Sequence, residues 1–176
     1  MNTLQLLHVI QVDPKSRTKF CGVYAADTLP NVIHHYPCGL IVNTDPISEQ
    51  GSHWLAMYFP SNDVGEFFDS YGYPPEFYKK NFKMFLNSHT KTWTYNPRCL
   101  QSLNSSTCGQ FCLYFIMNRN RGKTLQSIVR SFSNDRSLND HRVSVFVGRH
   151  LIHYKKKTSH RQISMSRRSN VNKPLQ

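Results

Sequence analysis

This chain predicts a mixed α and β domain, and three observations carry the prediction. Two aromatic-rich runs, His53–Phe59 and Val64–Tyr71, flank the turn cluster Pro60-Ser-Asn-Asp63 and read as a β-hairpin. Gly39–Asn43 is a short apolar run stopped by Thr44-Asp45-Pro46, the pattern of a buried strand. After the cap-forming residues Ser105, Ser106 and Thr107, the segment from Cys108 to Arg119 sets Phe111, Cys112, Phe115 and Ile116 at helical spacing.

The remaining elements follow in order. Residues 3–12 are apolar without a decisive period, so helix and strand both remain open until Asp13-Pro14 ends the run. Phe20–Tyr24 is a further short apolar piece. Residues 76–90 place Phe77, Tyr78, Phe82, Phe85 and Leu86 on one helical stripe, with Lys79, Lys80 and Lys83 facing outward. Thr92–Tyr95 suits a short strand. Residues 124–132 and 140–152 read as two more helices, the second with Val143, Phe146 and Val147 as its apolar stripe. At 176 residues the chain is long enough for one domain with a proper core.

Composition narrows the setting. No apolar run reaches the roughly 18 residues of a membrane span, and the N-terminus lacks a secretion signal. Five cysteines without framework spacing point to free thiols in a reducing, intracellular compartment. The formal charge of +12 is uneven. Residues 155–176 hold seven Lys/Arg and no acid, leaving a net +5 on residues 1–154. The sequence therefore divides into a domain over 1–154 and a basic, disordered tail over 155–176, attractive to polyanions such as nucleic acid.

The chemistry centres on Cys108. At the start of a helix, unpaired N–H groups and the positive end of the dipole favour thiolate, the nucleophilic form. A cysteine hydrolase also needs a base, an acid to orient it, and donors for the oxyanion. A hairpin loop that pairs Phe59 with Asp63 sets His53 opposite Asp69, with Cβ atoms about 5 Å apart, and a one-residue slip would separate them. The Cys108 N–H and the Gln101 side-chain amide are the oxyanion candidates. Each residue also has an ordinary reading: a core cysteine, a packed strand histidine, a turn aspartate, a loop glutamine. Cys112, one helical turn on, reads as buried. A zinc site from Cys99, Cys108, Cys112 and a histidine lacks any Cys-x-x-Cys pair, so no metal is expected.

Taken together the motifs are recognisable. Gly51-Ser-His53-Trp54, the acid in Phe-Phe-Asp69-Ser-Tyr-Gly72, and Gln101 ahead of Cys108-Gly-Gln-Phe-Cys112 resemble the adenovirus protease (adenain) family. The resemblance extends to Ile41-Val-Asn43-Thr44 and spans residues 20–118. This family is related to the SUMO-specific (Ulp-type) proteases. The run from Ser137 to Val147 is similar to the versions encoded by Polinton/Maverick transposons.

The resemblance implies an α+β, papain-like fold with the nucleophile helix packed against a mixed β-sheet. It implies Cys108 as nucleophile, His53 as general acid/base, Asp69 as orienting acid, Gln101 as oxyanion donor and Trp54 as a wall of the substrate site. Asp69 stands where many adenovirus enzymes carry Glu. Substrates would be capsid and core precursor proteins of a virus or virus-like transposon, cut after small or Gly-containing motifs in the host nucleus or virion. Adenoviral enzymes are activated by DNA and by a disulfide-linked peptide. The basic charge is compatible with DNA, but Cys99 lies only two residues before Gln101, so the peptide is not carried across. The sequence itself requires no cofactor, and the expected form is a monomer without membrane contact. Two alternatives stay open: an isopeptidase acting on SUMO- or ubiquitin-like modifiers, and an inactive nucleic-acid-binding relic.

Overall fold

A computed structural model describes residues 1–78 and 80–151. The basic tail, the domain boundary at 154 and Lys79 lie outside the described residues. The undecided segment 3–12 is a helix, α1 (Thr3–Val12), started by a capping box in which Asn2 and Gln5 exchange side-chain bonds with each other's backbone N–H. Five strands follow, β1 (Phe20–Tyr24), β2 (Cys38–Asn43), β3 (Trp54–Phe59), β4 (Val64–Phe68) and β5 (Thr92–Tyr95), and their order in the sheet is their order in the chain. The β1–β2 and β4–β5 pairs are parallel, while β2–β3 and β3–β4 are antiparallel, so the sheet is mixed.

Both faces of this sheet are covered, which explains its continuous apolar strands. Ile41, Ala56, Tyr58 and Phe68 join one core with α1 and the helices α3 (Cys108–Arg119) and α4 (Leu125–Arg130). Their strand neighbours Leu40, Val42, Leu55, Met57 and Phe67 join a second core with Phe82, Phe85 and Leu86 of α2 (Lys80–His89). Side chains alternate between the two cores with the period of a strand. Helix α3 is buried almost all round, consistent with a helix that fills the middle of a layer. A further helix, α5, runs over residues 136–151 and packs Val143 and Val147 into the first core. Among the described residues no helix is long and apolar enough to cross a membrane.

Three expectations need correcting. The predicted helix over 76–90 is split: a 3-10 turn at Pro75–Phe77 is followed by Tyr78 in an extended conformation before α2 begins. Tyr78 leaves the helix because its hydroxyl is drawn to Asp69, and Phe77 is exposed rather than part of the stripe. Helix α5 starts at 136 rather than 140, capped by Asp135, whose carboxylate accepts from the N–H groups of Ser137 and Leu138. Finally, Cys21 and Cys38, on paired strands, are bonded to each other, so free thiols are found at Cys99, Cys108 and Cys112 only.

One ion pair ties the end of α1 to the end of α3. Asp13, just past α1, receives both Arg121 Nη1 and Nη2, at 3.0 and 2.6 Å. Burial disfavours the Asp13 carboxylate, but the bonds from Arg121 and Ser16 outweigh it and hold its pKa below the usual value. A carboxyl depressed in the fold contributes stability above its unfolded pKa, near 4, and loses it as pH falls through the lower folded value. Replacing Asp13 by Ala is expected to cost about 2–3 kcal/mol at neutral pH. Thermal unfolding of both proteins from pH 7 down to pH 3 checks this, because the difference should shrink below about pH 4.

Candidate active site

The hairpin delivers His53 and Asp69 from positions just outside β3 and β4. The observed register pairs Ala56 with Phe68 and Met57 with Phe67, two residues away from the register expected from the turn. A shift of two keeps each residue on its face. Extended by the same register, Tyr71 rather than Asp69 lies opposite His53, and the two rings stack with centroids 5.0 Å apart. Asp69 lies on the diagonal and still reaches the imidazole, with His53 Nε2 2.7 Å from Asp69 Oδ1.

Asp69 is fully buried and held on every side. Its carboxylate accepts from the N–H groups of Tyr71 and Tyr73 and from the Tyr78 hydroxyl, at 3.1, 2.9 and 2.9 Å. Asn96 clamps its backbone, accepting from the Asp69 N–H and donating to its carbonyl. The two N–H donors converge because Gly72 adopts φ +80°, and a Cβ there would lie 2.6 Å from the Arg98 carbonyl carbon. Only glycine suits both the conformation and the space.

With Nε2 committed to Asp69, the other ring nitrogen of His53 is left for Cys108, which lines the same cleft. Cys108 opens α3 and is 8% exposed, enough to be reached from the cleft. Burial disfavours its thiolate, but the His53 hydrogen bond and charge, with the N–H groups of Trp54 and Gly109, win and lower the thiol pKa. Burial likewise disfavours the imidazolium, yet Asp69 and the Cys108 thiolate push His53 up to about 9. The two shifts run in the direction that favours a thiolate–imidazolium pair. Cys112, wholly buried beneath them, goes the other way: burial and the nearby anions raise it well above an ordinary thiol.

Gln101 is fully buried beside this pair. Its Oε1 accepts from Ser70 Oγ at 2.7 Å, which leaves the amide nitrogen aimed at the Ser105 carbonyl (2.8 Å) and the Tyr71 hydroxyl (3.3 Å). Thr107 occupies the N-cap position of α3 but makes no cap bond. Its hydroxyl, with that of Ser105, bonds to Asp140 of α5 instead, and Asp140 also receives the Ser102 N–H. Asp140 thereby staples the loop between Gln101 and Cys108. Trp54 lines the same cleft, its indole N–H donating to the Met1 carbonyl at 3.0 Å. The cleft encloses about 330 Å³ and reaches Cys108, His53, Gln101 and Trp54. A second groove of about 500 Å³ meets it at His53 and Tyr71 and is walled by Tyr73, Phe77 and Tyr78.

Sequence reasoning thus named Cys108, His53, Asp69, Gln101 and Trp54; four of them line one cleft, and Asp69 is buried behind His53. It missed Ser70, Tyr71, Tyr78, Asn96 and Asp140. Ser70 and Tyr71 directly follow the acid, so their place in the chain was a usable signal. The other three act across long sequence separations and carry none.

Among solved structures, the chain is similar to the ASFV pS273R protease, with 20% identity over 61% of this chain and 44% of that one, at a TM-score of 0.45. It therefore spans less than half of that protease's length. It is also similar to the central domain of the uncharacterized Lpg1148 protein from Legionella pneumophila, with 12% identity over 86% of this chain and 97% of that domain, at a TM-score of 0.47. No curated protein matches the chain. The adenovirus endoprotease profile matches residues 20–130, well over half of the sequence. The chain belongs to the adenovirus endoprotease family of cysteine-type peptidases.

Proposed function

We propose that this protein is a cysteine endopeptidase with Cys108 as nucleophile, His53 as general acid/base, Asp69 as orienting acid and Gln101 as oxyanion donor. The observation that carries the reading is the continuous line from a fully buried carboxylate, through His53, to a thiol with lowered pKa at a helix start on an open cleft. The Cys108 thiolate attacks the scissile carbonyl carbon, and the oxyanion forms against the Cys108 N–H and the Gln101 amide. The longer of the two amide bonds, to Tyr71, is the one that yields to the oxyanion. Collapse expels the amine, which takes its proton from the His53 imidazolium, and leaves a thioester. Neutral His53 then takes a proton from water, which attacks the thioester and frees Cys108.

The aromatic groove beside His53 suits an apolar side chain flanking the scissile bond. Family membership supports protein substrates, and we assign capsid and core precursors of a virus or virus-like transposon, processed in the nucleus or virion by a single chain. DNA binding through the basic surface belongs to the same reading. Replacing Gln101 by Ala is expected to lower kcat on the order of 10²–10³-fold with KM little changed, measured by steady-state hydrolysis of a peptide substrate. The reading itself is tested by incubating the protein with a proteome-derived peptide library and, separately, with SUMO and ubiquitin conjugates. Endopeptidic cuts absent from Cys108→Ala support it. Release of modifiers without any peptide cleavage would establish the isopeptidase instead.

A further inference from the structure

Far from the cleft, at the opposite end of β2, Cys21, His35 and Cys38 bring one donor atom each to within 4.8 Å of one another. Cys21 lies on β1 at an irregularity in its pairing with β2, and Cys38 is the first residue of β2. His35 comes from the connecting segment and is exposed to solvent. In sequence, His35-Tyr-Pro-Cys38 has the two-residue gap of a chelating pair, with imidazole in place of the first thiolate.

We infer that, with its thiols reduced, this cluster binds a zinc ion through Cys21, His35 and Cys38. The Cα atoms of the two cysteines are 6.2 Å apart. That separation accommodates a disulfide, and it equally accommodates two thiolates about 3.8 Å apart on one tetrahedral zinc, given zinc–sulfur bonds of about 2.3 Å. What separates the two possibilities is His35. A disulfide has no use for an imidazole, whereas zinc readily takes nitrogen beside sulfur. Binding releases the two thiol protons, and the two thiolates balance the charge of the ion. Water completes the fourth corner. The ion fastens the 25–37 segment, whose Ala26 and Ile33 are buried in the second core, to the edge of the sheet. The role is structural, remote from the proposed chemistry, and independent of it.

The test is to purify the full chain under a phosphine reductant from zinc-supplemented culture and measure bound metal by mass spectrometry. About one zinc per chain is expected, falling at least tenfold in Cys38→Ser and in His35→Ala and retained in Cys99→Ser. Because a variant can fail to fold, the wild-type apoprotein is also titrated with Co²⁺, which should develop a thiolate-to-cobalt charge-transfer band. Reduced wild type that holds no zinc and gives no such band overturns the inference. So does metal retained in His35→Ala, or a Cys21–Cys38 disulfide that persists under the reductant.

Discussion

Replacing Cys108 by Ala is expected to abolish peptide hydrolysis, a loss on the order of 10⁴-fold or more, while leaving the thermal unfolding profile close to wild type. The substitution removes one sulfur from a site open to the cleft, so little packing is lost. His53→Ala should fall nearly as far, because the thiolate loses its counter-ion and the leaving amine its proton source. The double variant should be no worse than Cys108→Ala, since groups that act as one unit are not additive. Steady-state rates of the three variants check this. Comparable activity in Cys108→Ala would move the nucleophile elsewhere.

The second large effect is expected at Asp69. Asp69→Asn preserves size but replaces an acceptor-only carboxylate with an amide. One amide hydrogen must then face His53 or one of the three donors that Asp69 now satisfies, from Tyr71, Tyr73 and Tyr78. The imidazole loses its orienting anion, and with it much of what holds its pKa at about 9. A drop in kcat of about 10³–10⁴-fold is expected, by analogy of role with other triads. The diagnostic is the pH profile: the alkaline limb should move toward the ordinary histidine range in Asp69→Asn. A large loss of kcat with an unmoved profile would mean that Asp69 acts only as a structural support.

How much of this was legible before the structure depends on the range of the interaction. Strands β2, β3, β4 and β5 and helix α3 were readable because apolar runs and turn clusters are local features. Segment 3–12 was undecided because apolar residues crowd both periods, although the Asn2–Gln5 capping box was present in the sequence. Asp135 was an equally readable cap for α5. The split at Tyr78 was not readable, since propensity favoured one helix and a hydrogen bond to Asp69 overrode it. The hairpin shows which inference was robust. The register was off by two, yet His53 and Asp69 still met, because only an odd shift changes the face. The supports of the site, Tyr78, Asn96 and Asp140, lie 9, 27 and 33–38 residues from the groups they hold, and nothing local marks them.

The central claim is that Cys108 is held as a thiolate by His53. Its most direct test is mass-mapped alkylation of the native protein by iodoacetamide from pH 4 to 10, comparing wild type with His53→Ala. In wild type, Cys108 should label first among the three free thiols, at pH values well below the ordinary thiol pKa of about 8.5. Its rate should plateau through neutrality and change again near 9 as His53 gives up its proton. In His53→Ala the plateau should vanish and labelling should rise only near the ordinary thiol pKa. Wild-type labelling of Cys108 that rises only near 8.5, unchanged by His53→Ala, would contradict the account.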